Sequence, residues 1–125
     1  MKSLLTIVFT LLCTTLVSAK TIRVGKKETV TSVQGALDIA QPGDSILVGT
    51  GIYTEGTLII NKPVSLIGLN FPILDGQQKN QVLTIRASNV LVEGFRIINS
   101  GYSSLEDLAG IKIIQARDIS IRNNI

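Results

Sequence analysis

Residues 59–68 read IINKPVSLIG, and residues 85–94 read IRASNVLVEG. Four positions recur in them at a constant spacing of 26 residues, so that Ile59, Val64, Leu66 and Gly68 correspond to Ile85, Val90, Val92 and Gly94. A third copy follows at a spacing of 29 residues, through Ile114, Ile119, Ile121 and Asn123. Each copy reads as a strand, a polar or small corner, and a second strand with alternating apolar residues. Repeats of this length with two or three short strands each predict a solenoid.

Stacked copies of such a repeat form a parallel β-helix. Equivalent strands of successive coils then run parallel, and parallel connections are almost always right-handed. Each inward Ile, Val or Leu lies about 4.8 Å from its counterpart in the next coil. A buried branched aliphatic contributes only about 1.5–3 kcal/mol, so a single coil is marginal without its neighbours. The sequence therefore predicts an all-β fold, a right-handed, single-stranded parallel β-helix.

Other features of the repeat agree with this fold. A third strand follows in each copy, at Ile73-Leu74 and at residues 96–98. The corners between the first two strands are Asn61-Lys62-Pro63, Ala87-Ser88-Asn89 and Ala116-Arg117-Asp118. Gly or Asn ends the second strand, and both residue types tolerate the left-handed backbone that a sharp corner commonly requires. Asp75-Gly76 is a dipeptide typical of a tight antiparallel hairpin, so a local hairpin there remains an alternative.

The region before the repeats predicts a cap for the solenoid. A short strand at residues 21–24 leads into a turn at Gly25 to Glu28, and a helix follows from Ser32 to Ala40. Ser32 is a suitable N-cap, and Pro42-Gly43 stops the helix. A strand at residues 45–48 then enters the first coil. Because the end of a solenoid is an exposed apolar cross-section, capping is the expected role of this helix.

Residues 1–19 have the plan of a secretory signal peptide. Lys2 gives a positive start, residues 4–17 are mostly apolar, and Val17-Ser18-Ala19 offers a small-x-small cleavage site before Lys20. The apolar stretch is too short and wrongly flanked for a stable membrane span. The residue before Cys13 is a leucine, whereas a lipoprotein signal needs a small side chain there. The sequence therefore predicts a released protein of the periplasm.

The composition limits the chemistry of the part that follows. The chain has no His, its single Cys and single Met lie within the signal segment, and the formal net charge is +3. Residues 20–125 therefore have no soft metal ligand and no disulfide. No basic cluster or aromatic platform of the kind that binds nucleic acid is present. We expect no metal site, no cofactor site and no Ser-His or Cys-His arrangement.

A sugar-cleaving site would need a pair of carboxylates or acidic calcium ligands. The candidates are Asp75, Glu93, Glu106, Asp107 and Asp118. Asp75 and Asp118 are interpreted as turn residues, as is Asn89, and Glu93 matches Arg122 on the solvent face. Asn61, Asn89 and Asn99 indicate polar corner stacking. Glu106 and Asp107 lie in the longest insertion, Ser100 to Leu108, which is either a binding loop or a surface bulge. No catalytic residue is predicted.

Several segments, taken in order, resemble a known family. The segments are Gly51-Ile52-Tyr53, residues 60–68, Leu74-Asp75-Gly76, residues 90–95, residues 99–105 and Ala109-Gly110-Ile111. Together they are similar to the NosD family of nitrous-oxide-reductase maturation proteins. Residues 36–48 resemble the opening of many exported, pectin-lyase-like β-helix proteins of the carbohydrate-binding and sugar-hydrolase type. Leu108 stands where the NosD family usually has Asp, which leaves Asp107 one place early.

The NosD resemblance implies a periplasmic scaffold that works with an ABC-type ATPase and permease. Its implied partners also include a copper chaperone and nitrous oxide reductase, whose copper centres the complex matures. On this reading the protein is not an enzyme. The domain prediction is a signal peptide at 1–19, then a cap and first coils at 20–125. With no cap before Ile125, the sequence predicts a fragment from which further coils are missing.

Two other functions stay open at this point. One is a polysaccharide lyase, epimerase or glycoside hydrolase of the parallel β-helix class, with its site beyond residue 125. The other is a cell-surface adhesion or carbohydrate-binding solenoid. A cluster of carboxylates on one face would favour the enzyme, whereas His and Met in further coils would favour copper maturation.

Overall fold

The structure, a computed structural model, describes residues 18–104 and 108–125. This part of the chain contains the helix α1 (Val33–Ile39) and a series of short strands. The strands are β1 (Thr21–Val24), β2 (Ser45–Val48), β3 (Ile52–Tyr53), β4 (Leu58–Ile60), β5 (Ser65–Gly68), β6 (Ile73–Asp75), β7 (Leu83–Ile85), β8 (Val90–Glu93), β9 (Arg96–Ile98), β10 (Ile111–Ile113) and β11 (Ile119–Arg122).

The strands form three sheets that the chain visits in turn. Sheet I has the order β1-β2-β5-β8-β11, sheet II has the order β3-β6-β9, and sheet III has the order β4-β7-β10. All pairings between these strands are parallel. One circuit through the three sheets is one coil. The predicted parallel β-helix with one short helix is confirmed.

The core is a set of aliphatic columns inside the coils. Ile46 pairs with Leu66, and Leu66 pairs with Val92, in neighbouring strands of sheet I. All three side chains are fully buried. Alternation along each strand produces this arrangement, because successive side chains of a strand point to opposite faces. Phe95, at the corner after β8, is also fully buried.

The register of sheet III differs from the predicted one. Ile60 pairs with Ile85, and Ile59 pairs with Thr84. Ile59 therefore faces outward and is exposed, so its predicted equivalence with Ile85 is wrong. The same error occurs in the third copy, where Ile113 and not Ile114 pairs with Ile85.

The physical reason for this shift lies in the corners between sheets III and I. Counted between paired residues, these corners run from Ile60 to Ser65, from Ile85 to Leu91 and from Ile113 to Ser120, so each is one residue longer than the one before. The longer two contain Asn89 and Asp118, each with φ of 58°. A left-handed residue lets a corner take up an extra residue without disturbing the next strand. A constant spacing in sheet I therefore does not carry over into sheet III.

The structure also decides two further points about the corners: it excludes the hairpin alternative and corrects the expectation for Gly68. β6, which contains Asp75, pairs in parallel with β9, so no antiparallel hairpin forms at Asp75-Gly76. Gly94 and Asn123 have positive φ as predicted, but Gly68 does not. Gly68 is instead required by close approach, because a Cβ there would overlap the backbone carbonyl of Gly94.

Helix α1 packs against β1, β2 and β4 at the start of the solenoid. It begins after Ser32, whose Oγ accepts from the Gly35 amide at 2.9 Å, and it buries Val33, Ala36 and Leu37. The helix thus covers the first coil, as the sequence predicts. Across residues 18–104 and 108–125 no helix is long and apolar enough to span a bilayer.

The last described coil is less well covered. Ile113, Ile121 and Ile125 are exposed, while Ile114 and Ile119 are half-buried. β10 and β11 each have a partner strand on one side only within the described residues. Residues 1–17, which hold most of the predicted signal peptide, lie outside the described residues.

Candidate functional site

The three predicted carboxylate candidates that the structure describes, Asp75, Glu93 and Asp118, have separate positions and partners. Asp75 Oδ1 accepts from the Gln77 amide at 2.8 Å and from Asn99 Nδ2 at 3.1 Å, so its carboxylate holds its own turn and the next coil. Asp118 occupies a left-handed corner equivalent to Asn89. Asp75 and Asp118 are therefore turn residues, as interpreted from the sequence. Asn61 is exposed at its corner.

Glu93 and Arg122 occupy paired outward positions on β8 and β11. Arg122 Nε lies 2.7 Å from Glu93 Oε2, so the two side chains form an ion pair. Glu106 and Asp107 lie outside the described residues, so the choice between a binding loop and a surface bulge at Ser100 to Leu108 stays open. Within residues 18–104 and 108–125, no group of three or more acidic, His or Cys side chains is placed to hold a metal ion.

A different site lies where sheet I turns into sheet II. The turns of successive coils stack along this corner. The Ile73 amide donates to the Gly51 carbonyl at 2.8 Å. In the next coil the Arg96 amide donates to the Pro72 carbonyl at 3.0 Å. This corner therefore forms a continuous ridge along the solenoid axis.

The ridge carries a cleft of about 140 Å³ near its capped end. Its lining residues are Lys26, Thr31, Thr50, Gly51, Ile52 and Tyr53, and we call this the corner cleft. It combines one ammonium, two hydroxyls and one aromatic ring. These groups come from the turn after β1, the segment before α1, the turn between β2 and β3, and β3 itself.

Tyr53 forms a fixed wall of the corner cleft. Its hydroxyl donates to the Gly49 carbonyl at 2.9 Å, which anchors the ring at its far end. Gly51 has φ of 152°, and a Cβ there would lie 3.6 Å from Tyr53 Cε2, in ordinary contact with the ring. The ring is half-buried and also packs against the core. Burial and, to a lesser extent, the nearby Glu55 carboxylate raise the pKa of the Tyr53 hydroxyl. The ring is therefore neutral at ordinary pH.

A second depression of about 320 Å³ adjoins the corner cleft. The two share Lys26 and Thr50, and the second adds Lys27 and Glu28. Lys26, Lys27 and Glu28 are all exposed. The combined surface therefore presents two ammonium groups and one carboxylate to solvent.

Phe71 lies farther along the same ridge, in the turn between β5 and β6. It is 46% exposed and has φ of 54°, which is rare for an aromatic residue. A non-glycine residue in this backbone region is strained, and such strain is common at binding sites. The exposed Arg96 follows at the corner of the next coil.

The sequence did not identify this site. Gly51-Ile52-Tyr53 contributed only to a family resemblance, and the turn from Gly25 to Glu28 was a connection. The signal in the sequence was weak: a tyrosine, Tyr53, lies close to two glycines, Gly49 and Gly51. Its meaning depends on placing Lys26 next to Thr50, which requires the register of β1 on β2.

Comparisons with known proteins give two matches. No family model matches the chain. A cell surface glycoprotein of Methanothermus fervidus is 36% identical over 74 residues, which cover 57% of this chain but only 12% of that protein. The crystal structure of a pectin methylesterase from Aspergillus niger has a TM-score of 0.49 at 20% identity, and the match covers 89% of this chain and 44% of that chain.

These findings correct two predictions. Neither match is a NosD protein, so the comparisons support the broad β-helix class and not that family. The prediction that the protein is not an enzyme is contradicted, because the solved chain in the comparison is itself an enzyme, a pectin methylesterase; the likeness does not assign that activity to this chain. That prediction followed from the NosD resemblance and from the interpretation of the carboxylates in residues 20–125 as turn and surface residues.

Proposed function

We propose that this protein is a cell-surface or exported β-helix that binds a polysaccharide, and that the whole protein acts on the chain it binds. The observation that carries the proposal is the composition of the corner cleft. An aromatic wall, two hydroxyls and an ammonium surround a space of about 140 Å³. Concave sites with a few convergent polar groups are typical of ligand recognition.

Each group in the corner cleft matches a feature of a sugar. The part of the Tyr53 ring that lines the cleft offers an apolar surface to the C–H groups of a pyranose, while the rest of the ring packs against the core. Its fixed hydroxyl keeps the ring in place. Thr31 and Thr50 hydroxyls both donate and accept, as sugar hydroxyls do. Successive coils stand about 4.8 Å apart, which is close to the advance per sugar in an extended chain. Turns stacked along the ridge therefore suit a polymer better than a single sugar.

The relative from Methanothermus fervidus supports the location, because its name places it at the cell surface. This support is limited to the part of the chain that matches. Of the functions weighed from the sequence, the sugar-directed ones are thus favoured over copper-centre maturation. No observation on the described residues favours the copper role, and we do not propose it further.

Affinity electrophoresis of the purified protein through gels that contain neutral or acidic polysaccharides tests this proposal. We expect at least one polysaccharide to retard the protein, and Tyr53→Ala to abolish most of the retardation. Tyr102→Ala is the matched control, because Tyr102 is 91% exposed and does not line the corner cleft. If Tyr53→Ala does not fold, Thr50→Val replaces it in the test, because Thr50→Val is a near-isosteric change at an exposed position. Unretarded migration of the parent protein in every gel would refute the proposal.

A further inference from the structure

We infer that the corner cleft and its adjoining depression select an acidic sugar, with Lys26 and Lys27 binding its carboxylate or sulfate group. This inference rests on the proposed polysaccharide function and adds the charge of the ligand and the residues that read it. It is carried by the way in which charge is distributed over the coils.

Three of the acidic groups are held by backbone amides within the fold. Asp44 is 1% exposed and accepts from the amides of Lys20 and Gln41, at 3.0 and 2.8 Å. The Glu55 carboxylate accepts two amides of α1, and Asp75 holds its own turn. Their negative charge is directed at backbone N–H groups rather than at basic side chains.

The basic side chains of the ridge are not used in this way. Lys26 and Lys27 are exposed. The ion pair of the described residues is on sheet I, where it joins Glu93 to Arg122. Glu28 is the carboxylate that lines the depression beside them. Among the lining residues, two ammonium groups face one carboxylate, so the lining carries a net positive charge. The Glu55 carboxylate near Tyr53 is held by two amides of α1.

The ridge continues with the same character. The exposed ring of Phe71 and then the exposed Arg96 follow Thr50 on the next two coils. A chain bound along the ridge would meet cations at both ends and aromatic rings between them. A neutral polysaccharide would use the rings and the hydroxyls alone, whereas an acidic one uses all of these groups.

The test compares one polymer backbone with and without charge. The probes are dextran, carboxymethyl dextran and dextran sulfate, and the protein is titrated with each at low and at moderate salt. We expect the charged polymers to bind more tightly than dextran, and we expect salt to weaken only their binding, since exposed charges are screened. Lys26→Ala/Lys27→Ala should lower affinity for the charged polymers about tenfold. The stronger of the two charged probes identifies carboxylate or sulfate as the preferred group.

Lys112→Ala/Arg117→Ala is the matched control, because it removes two exposed cations from the last described coil. It should leave binding within about twofold of the parent. An equal loss in both double variants, or no loss in Lys26→Ala/Lys27→Ala, would overturn the inference while the polysaccharide function stands. Failure of the parent protein to bind any polysaccharide would instead remove the proposed function, and the inference with it.

Discussion

Gly68, the last residue of β5, and Gly94, which directly follows β8, lie one above the other. Gly94 has φ of 83°, whereas Gly68 lies outside the left-handed region. A Cβ at Gly68 would overlap the Gly94 carbonyl and lie 2.8 Å from Pro72 Cδ. Both obstacles belong to rigid groups, a backbone and a proline ring. Gly68 is therefore needed for the distance between two coils and not for its own backbone angle.

We expect Gly68→Ala to lower the free energy of unfolding by about 2–3 kcal/mol, as for an overpacked interior. Urea denaturation followed by circular dichroism measures the change. Gly25→Ala is the control, because a Cβ there meets only the flexible Glu28 side chain, at 3.4 Å. It should stay within about 0.5 kcal/mol of the parent. Equal effects at the two glycines would contradict the close-approach argument.

Asp44 links stability to pH at the entrance to the first coil. Hydrogen bonds from the Gln41 and Lys20 amides hold the pKa of its carboxyl below the ordinary value, against the opposing effect of burial. A carboxylate with a depressed pKa stabilises the folded state above its unfolded pKa, which is about 3.9 for aspartate. That contribution is lost as the pH falls through the lower, folded-state pKa.

We therefore expect the urea midpoint of the parent to fall as the pH is lowered from about 5 to about 2.5. Asp44→Asn keeps the side-chain shape but carries no charge. It should be less stable than the parent at pH 6, and its midpoint should change less with pH. Parallel pH profiles for the two proteins would show that Asp44 does not supply the dependence.

The sequence predicted single positions well where the reason was local. The bounds of β1 and β2 follow from apolar alternation, and Asp75 and Asp118 are turn residues as interpreted. Ile59 was assigned to the wrong face because the corner after it is one residue shorter than the corner after Ile85. Side-chain period alone cannot detect this, since a shift of one residue exchanges the two faces of a strand.

At the scale of elements, α1 is held at both ends by the first coil. Glu55 Oε2 and Oε1 accept from the Val33 and Gln34 amides at 2.8 and 3.0 Å. At the other end, Lys62 Nζ donates to three carbonyls near the end of α1, at 2.8–3.2 Å: Leu37, Asp38 and Ala40. An acid at the N-terminus and a base at the C-terminus complement the helix dipole. The sequence predicted the Ser32 cap but neither of these longer-range contacts.

Removing either contact should loosen the cap. We expect Glu55→Gln and Lys62→Met each to lower stability by about 1–2 kcal/mol, because charged hydrogen bonds to helix termini are lost. Hydrogen exchange of the α1 amides should quicken in both variants. Lys79→Met is the control, since Lys79 is exposed in the loop between β6 and β7 and its change should leave α1 protected. Unchanged exchange of α1 in Lys62→Met would contradict the proposed anchoring.

The corner cleft shows why a site of this kind escapes sequence analysis. Its parts lie on three separate segments, around Lys26, Thr31 and Thr50. None of these residue types is informative alone. They become neighbours only because β1 pairs with β2 and because the turn after β1 stacks on the turn after β2. A site made by stacking is therefore visible only after the register is known.

At the scale of the whole molecule, each coil contacts only its neighbours along the axis. β5 is paired on both sides, by β2 and β8, whereas within residues 18–104 and 108–125 β11 is paired with β8 alone. Leu66 on β5 is fully buried, and Ile121 on β11 is 41% exposed. In a solenoid, stability is approximately a sum of the coils and of the contacts between adjacent coils. Local stability should therefore decline from the middle coils toward the last described coil, which contains β10 and β11.

Two truncations test this gradient by native-state hydrogen exchange. Leu66→Ala should cost about 2–5 kcal/mol and quicken exchange in β2, β5 and β8 together, because it opens a cavity that both neighbouring coils share. Ile121→Ala removes fewer buried contacts, so the faster exchange should be confined to β10 and β11, and we expect these two strands to exchange first in the parent as well. If Ile121→Ala quickened exchange equally in every strand, the coils would unfold as one cooperative unit. The predicted decline in local stability toward β10 and β11 would then be wrong. The contacts between adjacent coils would contribute more to stability than the contacts within any one coil.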